Sequence, residues 1–203
     1  MARAALGAVL AGGRSRRMGA PKALVPLAGR PLITYPLEAV RGTSLEPVVI
    51  AKPDSELPRV SCRVVREPAE PAHPLHGIIT ALSESGGAPI VAIGCDMPLV
   101  SAALLQWLAE LDAAVAVLEV SGRMQPLVAR YDSEVAPSLR GALRRGAPLR
   151  DALGELGPRV VTETELSRFG EPGLLCMNVN TPEDLERAAA VLPGGSTATR
   201  RGG

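Results

Sequence analysis

The sequence predicts an α/β fold with a mixed, mostly parallel sheet, and three observations lead to that prediction. Short segments that are apolar throughout recur between glycine, proline or charged residues. Stretches with helical apolar spacing lie between these segments. After residue 118 the rhythm changes, because a Ser-Gly pair joins two strand-like segments as in a hairpin or a crossover that ends in an antiparallel strand. Strands that are apolar on both faces are typical of parallel sheets covered by helices.

The predicted elements alternate along the chain. Strands are expected at residues 7–11, 47–51, 62–66, 89–94 and 113–118, with helices at 31–40, 76–83 and 101–111. Ser101 and Thr181 are placed to cap helices, and Pro182 suits a first helical position. Residues 141–158 predict one or two short helices, followed by a strand at 160–161. One domain, residues 1–192, is expected, with a flexible polar tail at 193–203.

Composition excludes several classes of function. The chain has 203 residues and a net charge of +1, so no overall field attracts nucleic acid or an anionic membrane. Aromatic residues make up 2% of the chain, too few for a base-stacking platform. Three distant cysteines without a CxxC pair suit the reducing cytoplasm better than a disulfide framework or a zinc site. The early apolar run is too short to span a bilayer and continues into arginines, so it is interpreted as a first strand.

Three loops at predicted strand ends are candidates for one binding site, because ligands of open α/β sheets lie beyond the carboxyl ends of the strands. These loops are residues 12–22, 95–98 and 178–180. The first combines glycines, whose backbone amides can form a nest for anions, with arginines and one of only two lysines, Lys22 and Lys52. It matches neither the Walker A pattern nor G-x-G-x-x-G. A polyphosphate fits this loop, and a solvated basic turn is the alternative interpretation.

Asp96 follows a buried strand and is predicted to point into the same cleft. Mg²⁺ in proteins is held by one or two carboxylates together with substrate phosphates, so Asp96 is the candidate metal ligand. The alternative is a turn aspartate that binds its own backbone. Cys95 beside it is interpreted as buried packing, because no sequence feature suggests that His73 or His76 activates it. The histidines are interpreted as polar residues that open a helix rather than as catalysts.

Three separated motifs resemble those of the molybdenum cofactor guanylyltransferases, which attach GMP to molybdopterin. They are L-A-G-G-x-S-x-R-M-G-x-x-K at residues 10–22, CDMP at 95–98 and NVNTPEDL at 178–185. The R-x-Q-P-L stretch at 123–127 and LRRGAPLRDAL downstream are also similar to that family, and the likeness covers residues 6–190. It implies a three-layer α/β/α fold of the nucleotide-diphospho-sugar-transferase, Rossmann-like type.

The resemblance also implies substrates and site residues. GTP and molybdopterin would be the substrates, Mg²⁺ the cofactor and pyrophosphate the second product, with a molybdoenzyme or its chaperone as a further candidate partner. Catalysis would rest on Arg16, Lys22 and Asp96. The nucleotide would contact Leu10, Ala11, Gly12, Gly13, Arg16, Gly19, Lys22, Glu67 and Asp96, with Asp96 as metal ligand. The acceptor would contact Gly77, Gln125, Arg150, Asn178 and Asn180.

The chain departs from the family pattern at a few positions. His73-Pro74-Leu75-His76-Gly77 stands where G-P-L-x-G is usual, Glu67 replaces an aspartate and Met177 a phenylalanine. Related cytidylyltransferases carry LAAG, GDQP-like and DIDTPED motifs, so LAGG, CDMP and NVNTPED favour guanine; Gly13 would leave space for a purine. The open alternatives are a cytidylyltransferase, a sugar-phosphate nucleotidyltransferase and a non-catalytic GTP-binding protein that delivers the cofactor.

Overall fold

A computed structural model describes residues 4–12, 20–70 and 73–192. Its strands are β1 Leu6–Leu10, β2 Pro26–Leu27, β3 Arg30–Pro31, β4 Glu46–Ala51, β5 Arg63–Arg66, β6 Ile90–Gly94, β7 Val115–Val120, β8 Arg123–Tyr131 and β9 Arg159–Val161. Its helices are α1 Thr34–Arg41, α2 Leu75–Glu84, α3 Ala102–Glu110, α4 Ala136–Arg144, α5 Leu149–Gly154, α6 Glu163–Leu166, α7 Pro172–Leu175 and α8 Pro182–Val191. Short 3-10 turns cover Lys22–Leu24 and Ser133–Val135. The predicted tail at 193–203 lies outside the described residues.

Seven strands form the central sheet in the order β5-β4-β1-β6-β8-β7-β9. Strands β5, β4, β1 and β6 are parallel neighbours, and β9 is parallel to β7. Strand β8 runs antiparallel to both β6 and β7. The prediction of a mixed, mostly parallel sheet is confirmed.

The sheet is covered by helices on both faces, which gives the predicted three-layer α/β/α arrangement. Alternate residues of a strand point to opposite faces. In β1, Val9 belongs to an apolar cluster with Leu37 of α1 and Leu104 of α3. Its neighbour Ala8 belongs to the cluster on the other face, with Ile78 of α2. Burial on both faces explains why the central strands β1 and β6 carry no polar side chain.

Two tight turns join antiparallel strands. Between β7 and β8, Ser121 and Gly122 have φ angles of 52° and 67°. Between β2 and β3, Ala28 and Gly29 have φ angles of 48° and 79°. Two successive residues with positive φ match the strong twist of a two-residue hairpin. The hairpin alternative for the segment after residue 118 is therefore correct.

The predicted element positions agree with the structure except at two helix starts. The five predicted early strands are each found within two residues of their expected bounds. The first helix begins at Thr34 rather than at residue 31, because Pro31 pairs with Pro26 in the small β2–β3 sheet. Helix α4 begins at Ala136, ahead of the expected segment at 141–158, after a 3-10 turn capped by Asp132.

The helix caps that the sequence predicted are present. The Ser101 hydroxyl oxygen accepts a hydrogen bond from the Leu104 amide at 3.2 Å. The Thr181 hydroxyl oxygen accepts one from the Asp184 amide at 3.2 Å, and Pro182 is the first residue of α8. Within the described ranges, no helix is long and apolar enough to cross a membrane.

Gly7 allows α1 to lie close against β1. A Cβ atom at this position would lie 2.3 Å from Cγ1 of Val40, which belongs to α1 and is fully buried. No side chain fits at that distance, so the sheet and helix could not keep their present separation.

We expect Gly7→Ala to lower the free energy of unfolding by about 1–3 kcal/mol through overpacking. Urea unfolding measures the loss. Val40→Ala in the Gly7→Ala background should recover part of it, because the shorter side chain makes room for the new methyl group. Equal stability of Gly7→Ala and the wild type would contradict this packing.

Candidate functional site

The candidate site lies at the carboxyl end of β1, between the ends of β4 and β6. Leu10, the last residue of β1, is in register with Ile50 on one side and Gly94 on the other. The pairing continues one residue further, since the Ala11 amide donates to the Ile50 carbonyl at 2.7 Å and the Cys95 amide donates to the Leu10 carbonyl at 3.1 Å. The loops that follow these three strands therefore begin side by side.

A cluster of polar side chains lies on the β6 side of this edge. The ammonium of Lys22 forms a salt bridge with the carboxylate of Asp96, which is 74 positions away in the chain. It also donates to Oδ1 of Asn180 at 2.7 Å, across 158 positions. The side chains of Lys22 and Asp96 are each 13% exposed. All three loops that the sequence singled out thus contribute to one cluster.

Backbone contacts hold this cluster in place. The Asp96 carbonyl accepts a hydrogen bond from the Val179 amide at 2.8 Å, which joins the second loop to the third. A Cβ atom at position 94 would lie 2.5 Å from Oδ1 of Asp96, so the carboxylate occupies space that only glycine leaves. Asp96 is therefore fixed from both its backbone and its side chain.

The start of α8 positions Asn180. The carboxylate of Asp184 accepts hydrogen bonds from the amides of Asn180 and Thr181, each at 3.0 Å. Thr181 in turn caps the helix, which completes a capping box. On its apolar side α8 contributes Ala188 to a cluster with Val179. The loop that carries Asn180 is thus held by a capped and packed helix.

A cavity of about 340 Å³ lies at the same edge, lined by residues of β1, α2 and β8 and of the segments that follow β4 and β5. Its volume falls in the range of small-molecule sites. Charged, polar and apolar side chains share its wall, and the lining consists of Leu10, Gly12, Lys52, Glu67, His73, Pro74, Gly77 and Leu127.

Glu67 is a buried acid in the wall of this cavity, with 6% of its surface exposed. Its carboxylate lies between two glycines, because a Cβ at Gly12 would be 2.6 Å from Oε1 and a Cβ at Gly77 would be 3.0 Å from Oε2. Burial raises the pKa of Glu67 above 4.5, and the positive charge of Lys52 opposes that rise. Glycines at both positions are therefore what lets an acid occupy this wall.

His73 connects the cavity wall to the segment before α5. Its Nδ1 accepts a hydrogen bond from the Leu75 amide at 3.1 Å, and Nε2 lies 3.0 Å from the Ala147 carbonyl. An accepting Nδ1 and a donating Nε2 describe a neutral imidazole. His73 therefore opens α2, as the sequence suggested, and ties it to the loop before α5.

The remaining predicted site residues are distributed more widely. Gln125 lies in β8 and donates to the Arg123 carbonyl at 3.3 Å, while Asn178 donates to the Cys176 carbonyl at 3.3 Å. Arg150 is exposed on α5. None of these side chains contributes to the cavity wall described above. The predictions for Gly13, Arg16 and Gly19 concern residues outside the described part of the chain.

Sequence reasoning missed Lys52, His73, Pro74 and Leu127 as wall residues. A signal for Lys52 was available, because it directly follows β4 and so occupies the carboxyl end of a parallel strand, where ligands bind. Leu127 belongs to the R-x-Q-P-L stretch, but no rule predicts its direction toward the cavity.

Cys95 is a packing residue, as expected. Its surface is 3% exposed, and burial raises the pKa of its thiol to about 12, helped by the neighbouring Asp96 charge. A thiol with this pKa is not a nucleophile near neutral pH. Cys62, Cys95 and Cys176 all have free thiols.

Comparison with known proteins identifies the family. A family model described as a MobA-like NTP transferase domain matches residues 7–162, which is most of the chain. The chain belongs to the MobA-like NTP transferases. This assignment agrees with the sheet, the cavity and the cluster of charged loops at its edge, and it makes the chain a nucleotidyltransferase.

Individual relatives of this MobA-like transferase carry more specific names. A probable molybdenum cofactor guanylyltransferase of Carboxydothermus hydrogenoformans is 31% identical over 183 residues, which cover 89% of this chain and 92% of that protein. A molybdenum cofactor guanylyltransferase of Cereibacter sphaeroides is 31% identical over 194 residues, covering 92% and 96%. Among solved structures, the molybdopterin-guanine dinucleotide biosynthesis protein A of Archaeoglobus fulgidus superposes with a TM-score of 0.76 at 25% identity, covering 89% and 95%.

The raised pKa of Glu67 predicts a pH-dependent effect on stability. The protonated form is favoured in the folded protein, so this residue contributes most stability below pH 4.5, and the contribution is lost as the pH rises through the raised pKa. Replacement by glutamine removes the titration, so Glu67→Gln should gain stability relative to the wild type as the pH rises from acidic to neutral.

Urea unfolding of both proteins across this pH range measures the difference. Glu186→Gln, which changes an exposed carboxylate on α8, is the control. A difference between Glu67→Gln and the wild type that stays constant with pH, or a variant that loses stability relative to the wild type as the pH rises, would contradict the prediction.

Proposed function

We propose that this protein transfers GMP from GTP to the terminal phosphate of molybdopterin and releases pyrophosphate. The observation that carries the proposal is the convergence of Lys22, Asp96 and Asn180 at the sheet edge that also holds the cavity, in a chain of the MobA-like family. The names of the relatives supply the acceptor. The cation, the carboxylate and the amide supply the groups that a phosphate transfer needs.

The guanine base occupies this cavity in the proposal. The backbone at 10–12 lies along the base and ribose, with Gly13 assigned to the same contact through the family motif. The carboxylate of Glu67 accepts hydrogen bonds from the N1–H and N2–H₂ groups of guanine. A carboxylate has two acceptor oxygens, which suits two adjacent donors. The apolar side chains of Leu10 and Leu127 provide contact area for the ring.

The triphosphate extends from the cavity toward the Lys22–Asp96 pair. Lys22 neutralises charge on the phosphates, and we assign Arg16 and Gly19 to the same task because the family motif places them there. Lys22 is suited to the role because oxygens of two other loops already hold its ammonium at the strand edge. In the loaded site, where those oxygens would hold the metal ion, the ammonium would contact the neighbouring phosphates and stabilise their developing charge.

Mg²⁺ is the proposed cofactor, with Asp96 as its protein carboxylate. The fit rests on the two oxygens, from Asp96 and Asn180, that converge on a single cation position, now held by the Lys22 ammonium. Such hard oxygen donors, with phosphates and waters, suit Mg²⁺. Within the described residues, no group of three or more acidic, histidine or cysteine side chains forms a separate metal site. When bound, Mg²⁺ neutralises charge on the phosphate oxygens.

The reaction needs no covalent enzyme intermediate. The terminal phosphate of molybdopterin attacks the α-phosphorus of GTP in line, the bond from that phosphorus to the β-phosphate oxygen breaks, and pyrophosphate leaves. The side chains position both substrates and stabilise charge. Acceptor contacts are assigned to Gly77, Gln125, Arg150, Asn178 and Asn180 through the family resemblance. A molybdoenzyme or its chaperone is the proposed recipient of the product, and the cytoplasm the proposed location.

The experiment that tests the function measures product formation directly. Purified protein is mixed with Mg²⁺, molybdopterin and GTP, and both pyrophosphate and the dinucleotide are quantified. CTP replaces GTP in one parallel reaction, and a sugar phosphate replaces molybdopterin in another. We expect product only with GTP and molybdopterin. Faster turnover with CTP or with the sugar phosphate would identify one of the related transferases, and GTP binding without pyrophosphate release would identify a delivery protein.

Removing either charge of the Lys22–Asp96 pair should slow this reaction. Loss of one pre-positioned electrostatic group commonly costs about 3 kcal/mol of barrier, on the order of a hundredfold in rate. We expect at least that loss for Lys22→Ala and for Asp96→Asn, the second of which keeps the shape of the side chain. Steady-state pyrophosphate release measures the rate, and circular dichroism confirms folding. Glu186→Ala is the control, and a near-normal rate in either site variant would refute its assigned role.

A further inference from the structure

Lys52 faces the same cavity as Glu67 but has no role in the function proposed above. It follows β4 directly and is one of the two lysines of the chain. Its main chain is held in place, because the Lys52 carbonyl accepts hydrogen bonds from the Arg66 guanidinium at 2.7 Å and from the Ser55 amide at 3.1 Å. Within the part of the chain that the structure describes, no hydrogen bond or salt bridge engages its ammonium.

Lys52 and Glu67 approach one point of the wall from two directions. A Cβ atom at Gly12 would lie 3.4 Å from Cγ of Lys52 and 2.6 Å from Oε1 of Glu67. Both side chains line the cavity, and the positive charge of Lys52 acts on the Glu67 carboxylate strongly enough to oppose the effect of burial on its pKa. The wall therefore presents a cationic donor close to an anionic acceptor.

We propose that Lys52 determines base specificity by donating a hydrogen bond to O6 of guanine while Glu67 accepts from N1–H and N2–H₂. This inference rests on the proposed function, because it assumes that the nucleotide base fills this cavity. Guanine carries its acceptor O6 next to its donor groups, so a donor beside an acceptor matches it. Adenine and cytosine carry an amino donor in place of that oxygen, so the ammonium would meet another donor.

The position of Lys52 favours the base over the phosphates as its partner. The other lysine, Lys22, belongs to the cluster on the β6 side of β1, whereas Lys52 follows β4 on the opposite side. Leu10, Pro74 and Leu127 share the cavity with Lys52, and an apolar wall of this kind suits a planar ring and not a triphosphate.

The test replaces the lysine and the guanine oxygen separately. Dissociation constants for GTP and for 6-thio-GTP, in which sulfur replaces O6, are measured by calorimetry without acceptor for the wild type and Lys52→Met. Sulfur is a weak acceptor. We expect Lys52→Met to weaken GTP binding about ten- to hundredfold, as for a hydrogen bond to a charged group, and to weaken 6-thio-GTP binding much less. ITP keeps O6, so Lys52→Met should weaken ITP binding by as large a factor as GTP binding.

Two further variants separate this role from a general effect of charge or folding. Arg59→Met removes an exposed positive charge from the same connection between β4 and β5 and should leave GTP binding unchanged. Lys52→Gln keeps a hydrogen-bond donor without the charge and should bind GTP better than Lys52→Met does. If Lys52→Met unfolds, the comparison of GTP with 6-thio-GTP in the wild type and Lys52→Gln carries the test.

The outcomes distinguish this inference from the proposed function. An equal loss for GTP and 6-thio-GTP in Lys52→Met, or no loss for either, would overturn the role of Lys52 even if the wild type forms the dinucleotide. The binding assay could give the results expected for Lys52 while molybdopterin and GTP release no pyrophosphate. That outcome would overturn the proposed reaction alone. A wild type that does not bind GTP would overturn both.

Discussion

The site depends on one constraint, the burial of β1 between two parallel neighbours. Because β4 and β6 both run in the direction of β1, the loops after all three strands begin at the same edge. The parallel strands thus bring together side chains that are far apart in the sequence. The packing of the sheet and the assembly of the site have the same origin, so a variant that moves α1 or α2 against β1 would disturb both.

Small residues make room for the charges at this edge. Glu67 lies between Gly12 and Gly77, and Asp96 uses the space beside Gly94. Glu67 has little water around it, which raises its pKa and strengthens any hydrogen bond that a ligand donates to it. Because these glycines have no side chain, the carboxylates of Glu67 and Asp96 can lie against the backbone at the sheet edge.

Sequence reasoning predicted most of the fold and only part of the site. Strands buried on both faces have no polar alternation to confuse their assignment, so their bounds were found closely. Motif loops at strand ends led correctly to the meeting of Lys22, Asp96 and Asn180. The β2–β3 hairpin was missed because two-residue strands carry no periodic signal. Lys52 and Leu127 were missed as wall residues because the direction of a side chain depends on tertiary packing.

The two lysines differ in what surrounds them, and this difference bears on how one edge could serve both ends of a nucleotide. Lys22 is held by a carboxylate and an amide from two other loops, so its ammonium is already at the strand edge when a ligand arrives. Lys52 is fixed through its main chain, while its side chain lies along Gly12 in a wall shared with apolar residues. A cation with oxygen neighbours suits the hydrated, highly charged phosphates, where total charge matters more than the direction of a bond. A cation in an apolar wall interacts strongly only with an acceptor that lies within hydrogen-bond reach. This dependence on the acceptor's position lets it distinguish one base from another.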